Sequence, residues 1–280
     1  MKQKYFKLLI SFFALCLLTT HINAADEPSA PIKIMPLGDS LTYDYILADA
    51  DNPRPISIRT AYRSHLWYML RDANISADFV GSQSAGQAIT PPFDTDNEGH
   101  FGWHSLEIAE STYSYMARST PDIVLLHAGT NDNDTSAAGI AAILDQINLY
   151  EQHSGRTVRV IIALIIDRRE PDRITQIFNE NLQELVNLYM LNGDSVTLID
   201  IYRGAGLTSS DYVDSLHPNT NGYIKMAAVW FNALMAPYTP ELYTFPTTVV
   251  NPAYVTSLNV NETTRSVTFI AEVPDTGITF

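Results

Sequence analysis

The chain has 280 residues, 46% of them hydrophobic, and a formal net charge of −14. That length fits one substantial core with a small appendage at most. The acidic balance and the lack of a basic cluster exclude a nucleic-acid partner and disfavour attraction to anionic membrane.

The first residues read as a targeting segment. Lys2, Lys4 and Lys7 give a positive start, an apolar run over 8–18 is broken only by Ser11, and small residues follow at Asn23-Ala24-Ala25. This is the layout of a secretory signal peptide, and the run is too short to span a bilayer. Residues 1–24 are therefore expected to be removed on export. The mature protein is expected to be secreted or periplasmic, with no stable membrane insertion. Cys16 is the only cysteine and lies inside that run. The mature chain should then have no disulfide, no zinc–thiolate site and no thiol nucleophile.

The apolar run 32–37 reads as a buried strand that stops at Gly38, with Ser40 just beyond its end. Residues 43–55 are polar and read as a loop over the strand ends. A helix is expected over 59–73, where Tyr62, Leu66, Met69 and Leu70 fall at helical spacing. A short strand follows at 77–80. Residues 82–100 are long and irregular, and long loops in compact domains are more often functional than not. A helix over 105–118, with Ser105 as its cap, leads to a strand at 123–127 that is apolar on both faces, as a central parallel strand should be. The turn Gly129-Thr130-Asn131-Asp132 comes next. Helices over 136–153 and 172–191 then alternate with strands over 158–166 and 196–201. A turn-rich loop over 203–218 leads to a last helix over 221–235. Five strands alternating with helices predict an α/β fold: a flavodoxin-like three-layer α/β/α domain over 31–237 with a five-stranded parallel sheet. From 238 to 280 the texture turns to proline, threonine and valine, and a β-hairpin is expected from 257–260 and 266–273.

Ligands in such sheets bind outside the carboxyl ends of the strands. Three polar features fall there: Ser40, the Gly129–Asp132 turn, and Asp214-Ser215-Leu216-His217. An aspartate three residues before a histidine can hold the imidazole Nδ1–H and leave Nε2 free to take a proton. A serine hydroxyl needs such a base within reach to act as a nucleophile. Asn131 offers a side-chain amide to a developing oxyanion.

Gly38-Asp39-Ser40-Leu41, Gly102, Gly129-Thr130-Asn131-Asp132 and Asp214-x-x-His217 together resemble the four motif blocks of the SGNH (GDSL) hydrolase superfamily, in the right order. The resemblance covers about residues 32–236. It implies that Ser40 is the nucleophile, His217 the general base and Asp214 its orienting partner. Ser40 N–H, Gly102 N–H and the Asn131 side chain would form the oxyanion hole, with Gly99 as the fallback for Gly102. Glu98-Gly99-His100-x-Gly102-Trp103 and Leu125-Leu126-His127 narrow the likeness to carbohydrate esterase family 3, the acetyl xylan esterases. That implies removal of small acyl groups, mainly acetyl, from polysaccharide. The substrate is expected to be a small-molecule or polysaccharide ester, and no cofactor or metal is expected. The longer loop over 43–55 and the β tail depart from that pattern. Oligomeric state is left open.

Other readings stand beside this one. The same machinery could serve a lysophospholipid or a thioester, and a non-catalytic carbohydrate-binding protein could use the same scaffold. Trp103, Tyr43 and Tyr45 are candidates to stack on a sugar ring, although aromatics usually pack. His100, His104 and His127 read as structural or substrate-edge residues, and Asp39 and Asp132 as turn acceptors. Asp94-x-Asp96-x-Glu98 lacks the full calcium-loop pattern and reads as a solvated loop.

Overall fold

Side chains on the central strands alternate between two cores, and this alternation defines the layers. The computed structural model describes residues 30–237 and the backbone of two later strands, Tyr254–Asn261 and Ser266–Glu272. The expected signal segment lies outside the described residues. In chain order the main domain runs β1 (Ile32–Gly38), α1 (Ser40–Tyr43), α2 (Arg63–Asp72), β2 (Ala77–Phe79), β3 (Gln83–Ser84), β4 (Asp96–Gly99) and α3 (Ser105–Ser119). It continues with β5 (Ile123–His127), α4 (Ala138–Ser154), β6 (Arg159–Ala163), α5 (Arg173–Leu191), β7 (Val196–Ile199), α6 (Ile201–Gly204) and α7 (Thr220–Met235). Met35, Leu37, Val124, Leu126, Val160 and Ile162 face a core closed by α3, α4 and α5. Ile34, Leu125, Ile161 and Ala163 face the opposite core, closed by α2 and α7. The sheet is mostly parallel, with helices on both sides.

Strand order is β3-β4-β1-β5-β6-β7, with β2 also on β1. The five expected strands are all present and parallel. Two more arise from the segment expected to be loop. β2 pairs with the first half of β1, Ile32 opposite Ala77, while β4 pairs with its last two residues, Gly38 opposite Gly99. The two therefore share one edge of β1, and short β3 adds antiparallel to β4. Sequence pattern misses β4 because Asp-Asn-Glu-Gly carries no apolar alternation; its buried side chains, Asn97 and Glu98, have polar partners instead. The last two strands, β8 (Tyr254–Asn261) and β9 (Ser266–Glu272), pair antiparallel as the expected hairpin, with the first strand starting earlier than expected.

Helix ends follow local chemistry. Asp172 accepts from Thr175 N at 2.7 Å to start α5, and Asn219 accepts from Asn221 N and Gly222 N to start α7. Ser105 is the first residue of α3 rather than its cap. Its N–H and hydroxyl are both held by Asp132, on the turn after β5, which ties α3 to the strand ends. Among the described residues no helix is long and apolar enough to cross a membrane.

One buried cation fastens the loops above the sheet. Arg63 is 0% exposed and, among the described residues, forms no ion pair within 4 Å. Its guanidinium donates to four backbone carbonyls: Thr42 at 2.9 Å, Ala85 at 3.2 Å, Thr95 at 3.1 Å and Arg59 at 3.0 Å. Burial pulls its pKa down to about 10, so it stays charged at neutral pH. Replacing it strands four acceptors. Arg63→Met should lower the unfolding free energy by about 3–5 kcal/mol in a urea titration at neutral pH; a loss under about 1 kcal/mol would show that the carbonyls find other partners.

Candidate active site

Ser40 opens α1, directly after β1. Gly38 precedes it for want of space: a Cβ there would lie 2.2 Å from the His127 carbonyl oxygen of β5. Asp39 accepts from Leu41 N at 2.9 Å and caps the short helix. Ser40 N–H has no acceptor among the described residues, as expected for the first turn of a helix.

Ser40 Oγ lies 3.0 Å from His217 Nε2. The other ring nitrogen, Nδ1, lies 2.9 Å from Asp214 Oδ2 and 3.1 Å from Oδ1. Ser40 is 4% exposed and His217 2%. An alcohol, an imidazole and a carboxylate thus form one hydrogen-bonded chain across residues far apart in sequence. Asp214 also accepts three backbone N–H groups: Leu47 at 2.9 Å, Leu216 at 2.8 Å and His217 at 2.7 Å. Burial works to raise its pKa, but those three donors and the adjacent His217 outweigh it and hold it below the usual carboxylate range.

The loop that supplies Leu47 is braced by charge. Arg54 bonds Asp49 and Asp44, and Arg59 lies 3.3 Å from the same Asp49. Burial alone would raise Asp49, yet Arg54 and the N–H groups of Ile46 and Arg54 hold it well below the usual range.

Gly102 lies in a four-residue turn closed by Trp103 N–H to the His100 carbonyl at 3.2 Å, with φ +79°. That left-handed value favours glycine. The turn follows β4, whose end is fixed to β1 by His100 N–H to the Gly38 carbonyl at 2.8 Å. Gly102 N–H has no acceptor among the described residues, whereas Gly99 N–H is taken by Asn97 Oδ1 at 3.0 Å. This separates the two glycines that the sequence leaves open. Asn131 Nδ2 donates to the Trp103 carbonyl at 2.9 Å, which fixes the amide beside the same turn.

The candidate sugar-stacking residues behave differently from one another. Tyr43 is buried, and Trp103 stacks on His100 at 4.3 Å, so both rings are largely committed to packing. The exposed ring is Phe101, 48% accessible and stacked flat on Tyr45 at 4.2 Å. Arg59 sits over Tyr45, 5.0 Å from its ring centre. Sequence reasoning missed Phe101; its place beside a turn glycine in a long loop was the available signal.

His100, Glu98 and Asp94 have partners that explain them. His100 Nε2 bonds Glu98 at 2.7 Å, and Glu98 also takes the Ser82 N–H and hydroxyl. Asp94 accepts from Phe79 N at 2.9 Å, so the Asp94, Asp96 and Glu98 side chains do not converge. Among the described residues no group of His, Cys, Asp or Glu is arranged to hold a metal ion. His127 is buried, and burial pulls its pKa down to about 4.

No family model matches the chain. A multidomain esterase of Ruminococcus flavefaciens is 27% identical over 246 residues, covering 74% of this chain and 30% of that protein. The chain thus spans about a third of the curated relative. A crystal structure of an acetyl esterase mutant with acetate ion superposes with a TM-score of 0.61 at 27% identity, covering 73% of this chain and 96% of the other. A family 3 carbohydrate esterase of Clostridium thermocellum gives 0.60 at 29% identity, covering 72% and 94%. In sequence and fold the chain is thus similar to esterases, among them a carbohydrate esterase of family 3.

Asp39 gives a pH test of this site. Burial raises its pKa from 3.8 to about 7. The folded state therefore keeps a proton that the unfolded chain releases, and stability is lost as pH rises from about 4 to about 7. Asn keeps the oxygen that accepts from Leu41. The stability advantage of Asp39→Asn over the parent, read from unfolding midpoints, should widen across that window and then stay level. A gap independent of pH would contradict it.

Proposed function

We propose that the protein is an exported esterase that removes small acyl groups, chiefly acetyl, from carbohydrate through Ser40, His217 and Asp214. The observation that carries this reading is the 3.0 Å contact between Ser40 Oγ and His217 Nε2, with Asp214 on the far side of the ring. Residues 1–24 are the export signal in this reading, residues 31–237 the hydrolase domain and 238–280 a β-rich extension. The acetyl preference rests on the likeness to an acetyl esterase and to a family 3 carbohydrate esterase.

His217 Nε2 accepts the Ser40 proton as Oγ attacks the ester carbonyl. In this reading Ser40 N–H, Gly102 N–H and the second N–H of Asn131 donate to the oxygen on which negative charge develops. The imidazolium, held by Asp214, returns the proton to the leaving sugar hydroxyl. Water then attacks the acyl-serine with His217 again as base, releasing the acid and restoring the serine. Phe101, exposed and backed by Tyr45, serves as the platform for the sugar ring.

Ser40→Ala should fold normally and lose labelling by a fluorophosphonate probe; labelling at the parent level would sink the triad assignment. Asn131→Ala should lower kcat by about a hundredfold on p-nitrophenyl acetate, and a parent-like kcat would remove Asn131 from the oxyanion hole. With p-nitrophenyl octanoate as comparison, acetate should be strongly preferred; a preference for octanoate would point to lipid. Phe101→Ala should raise KM for acetylated xylo-oligosaccharide several-fold relative to p-nitrophenyl acetate. An equal change on both esters would make Phe101 a packing residue.

A further inference from the structure

A cavity of about 470 Å³, lined by none of the three triad residues, is not used by the reaction above. Its walls come from the segments that follow β6 and β7, at the same carboxyl end of the strands as Ser40. Arg168, Arg169 and Arg203 line it, against a single acidic lining residue, Asp167. In a chain of net charge −14, three arginines around one cavity stand out against the background. Among the described residues their donors are mostly unspent. There Arg168 uses Nε on Asp172, at 3.1 Å. Arg203 lies 3.9 Å from Asp200, too far for a hydrogen bond. Arg169 makes no ion pair among the described residues.

The cavity shares a wall with the loop that holds the His–Asp pair. Arg169 N–H donates to the Ser215 carbonyl at 2.9 Å, and Ser215 follows Asp214 directly. Tyr212, another lining residue, donates its hydroxyl to the Asp167 carbonyl at 2.7 Å. The wall also carries the Tyr202 ring.

We infer that this cavity is an accessory subsite for a carboxylate-bearing sugar, a uronic acid, on the same glycan that presents the ester to Ser40. Planar guanidinium groups match a carboxylate with paired hydrogen bonds, and the Tyr202 ring holds the Arg203 guanidinium over its face, 5.2 Å from the ring centre, at the cavity wall. The inference rests on the esterase reading only in placing both groups on one polymer. Binding and turnover test it separately.

Calorimetric titration of the Ser40→Ala protein with a non-acetylated xylo-oligosaccharide bearing one glucuronate should show binding at least tenfold tighter than with the neutral oligosaccharide of equal length. Adding Arg169→Gln, or Arg168→Gln, should remove that difference, and high salt should weaken it. In turnover, Arg169→Gln should reduce kcat/KM for the acidic acetylated oligosaccharide by about tenfold relative to its neutral counterpart. Equal affinity for acidic and neutral ligands, or a preference that survives both arginine changes, would overturn the subsite. If no ester is turned over but the acidic oligosaccharide binds selectively, the subsite stands and the esterase reading falls.

Discussion

The site depends on how one carboxylate is satisfied. Asp214 receives three backbone N–H groups and the imidazole of His217, drawn from two separate loops. The Leu47 donor belongs to the segment braced by Arg54 and Arg59; the others belong to the turn before α7. Charge-assisted bonds of this kind are the strong ones. They keep the carboxylate ionised and aimed, and so keep Nε2 turned toward Ser40. Lengthening the loop over 43–55 therefore brings its own ion-pair network, which holds the loop where Asp214 needs it.

Polar burial in this protein is organised around the carboxyl ends of the strands. Arg63, Glu98, His100 and Asp39 are all buried there, while the two cores on either side of the sheet are apolar. Three of the four are bonded on every side that matters: Arg63 to carbonyls, Glu98 to Ser82 and His100, His100 to Glu98 and two aromatic rings. Asp39 is the exception, with one oxygen buried and unpartnered. Buried polar groups cost stability unless paired, so the pairing marks where position matters most.

Much of this was legible in the sequence. The apolar runs of β1, β5, β6 and β7 and the stripes of α4, α5 and α7 carry their own periodicity, and it specifies the layers. The motif blocks specified which residues to look for, and Ser40, His217 and Asp214 come together as their order implies. The exceptions share a cause. β3 and β4 are short and polar, so no periodicity marks them. Gly102 and Gly99 are alike in sequence and separate only once Asn97 is seen to occupy one N–H. Phe101 and Tyr45 are distant along the chain, and their stacking exists only in three dimensions. Gly38 reads in the sequence only as the end of a strand; its actual constraint is the neighbouring His127 carbonyl.

The shared edge of β1 has an evolutionary consequence. β2 anchors the lower half of the central strand and β4 the upper half, with the excursion between them lying outside the parallel ladder. Insertions or deletions at the tips of that excursion, away from the Ala85 and Thr95 carbonyls that Arg63 holds, leave the register of the central strand untouched. The chain thus separates a foundation that must not drift from a surface stretch free to diversify.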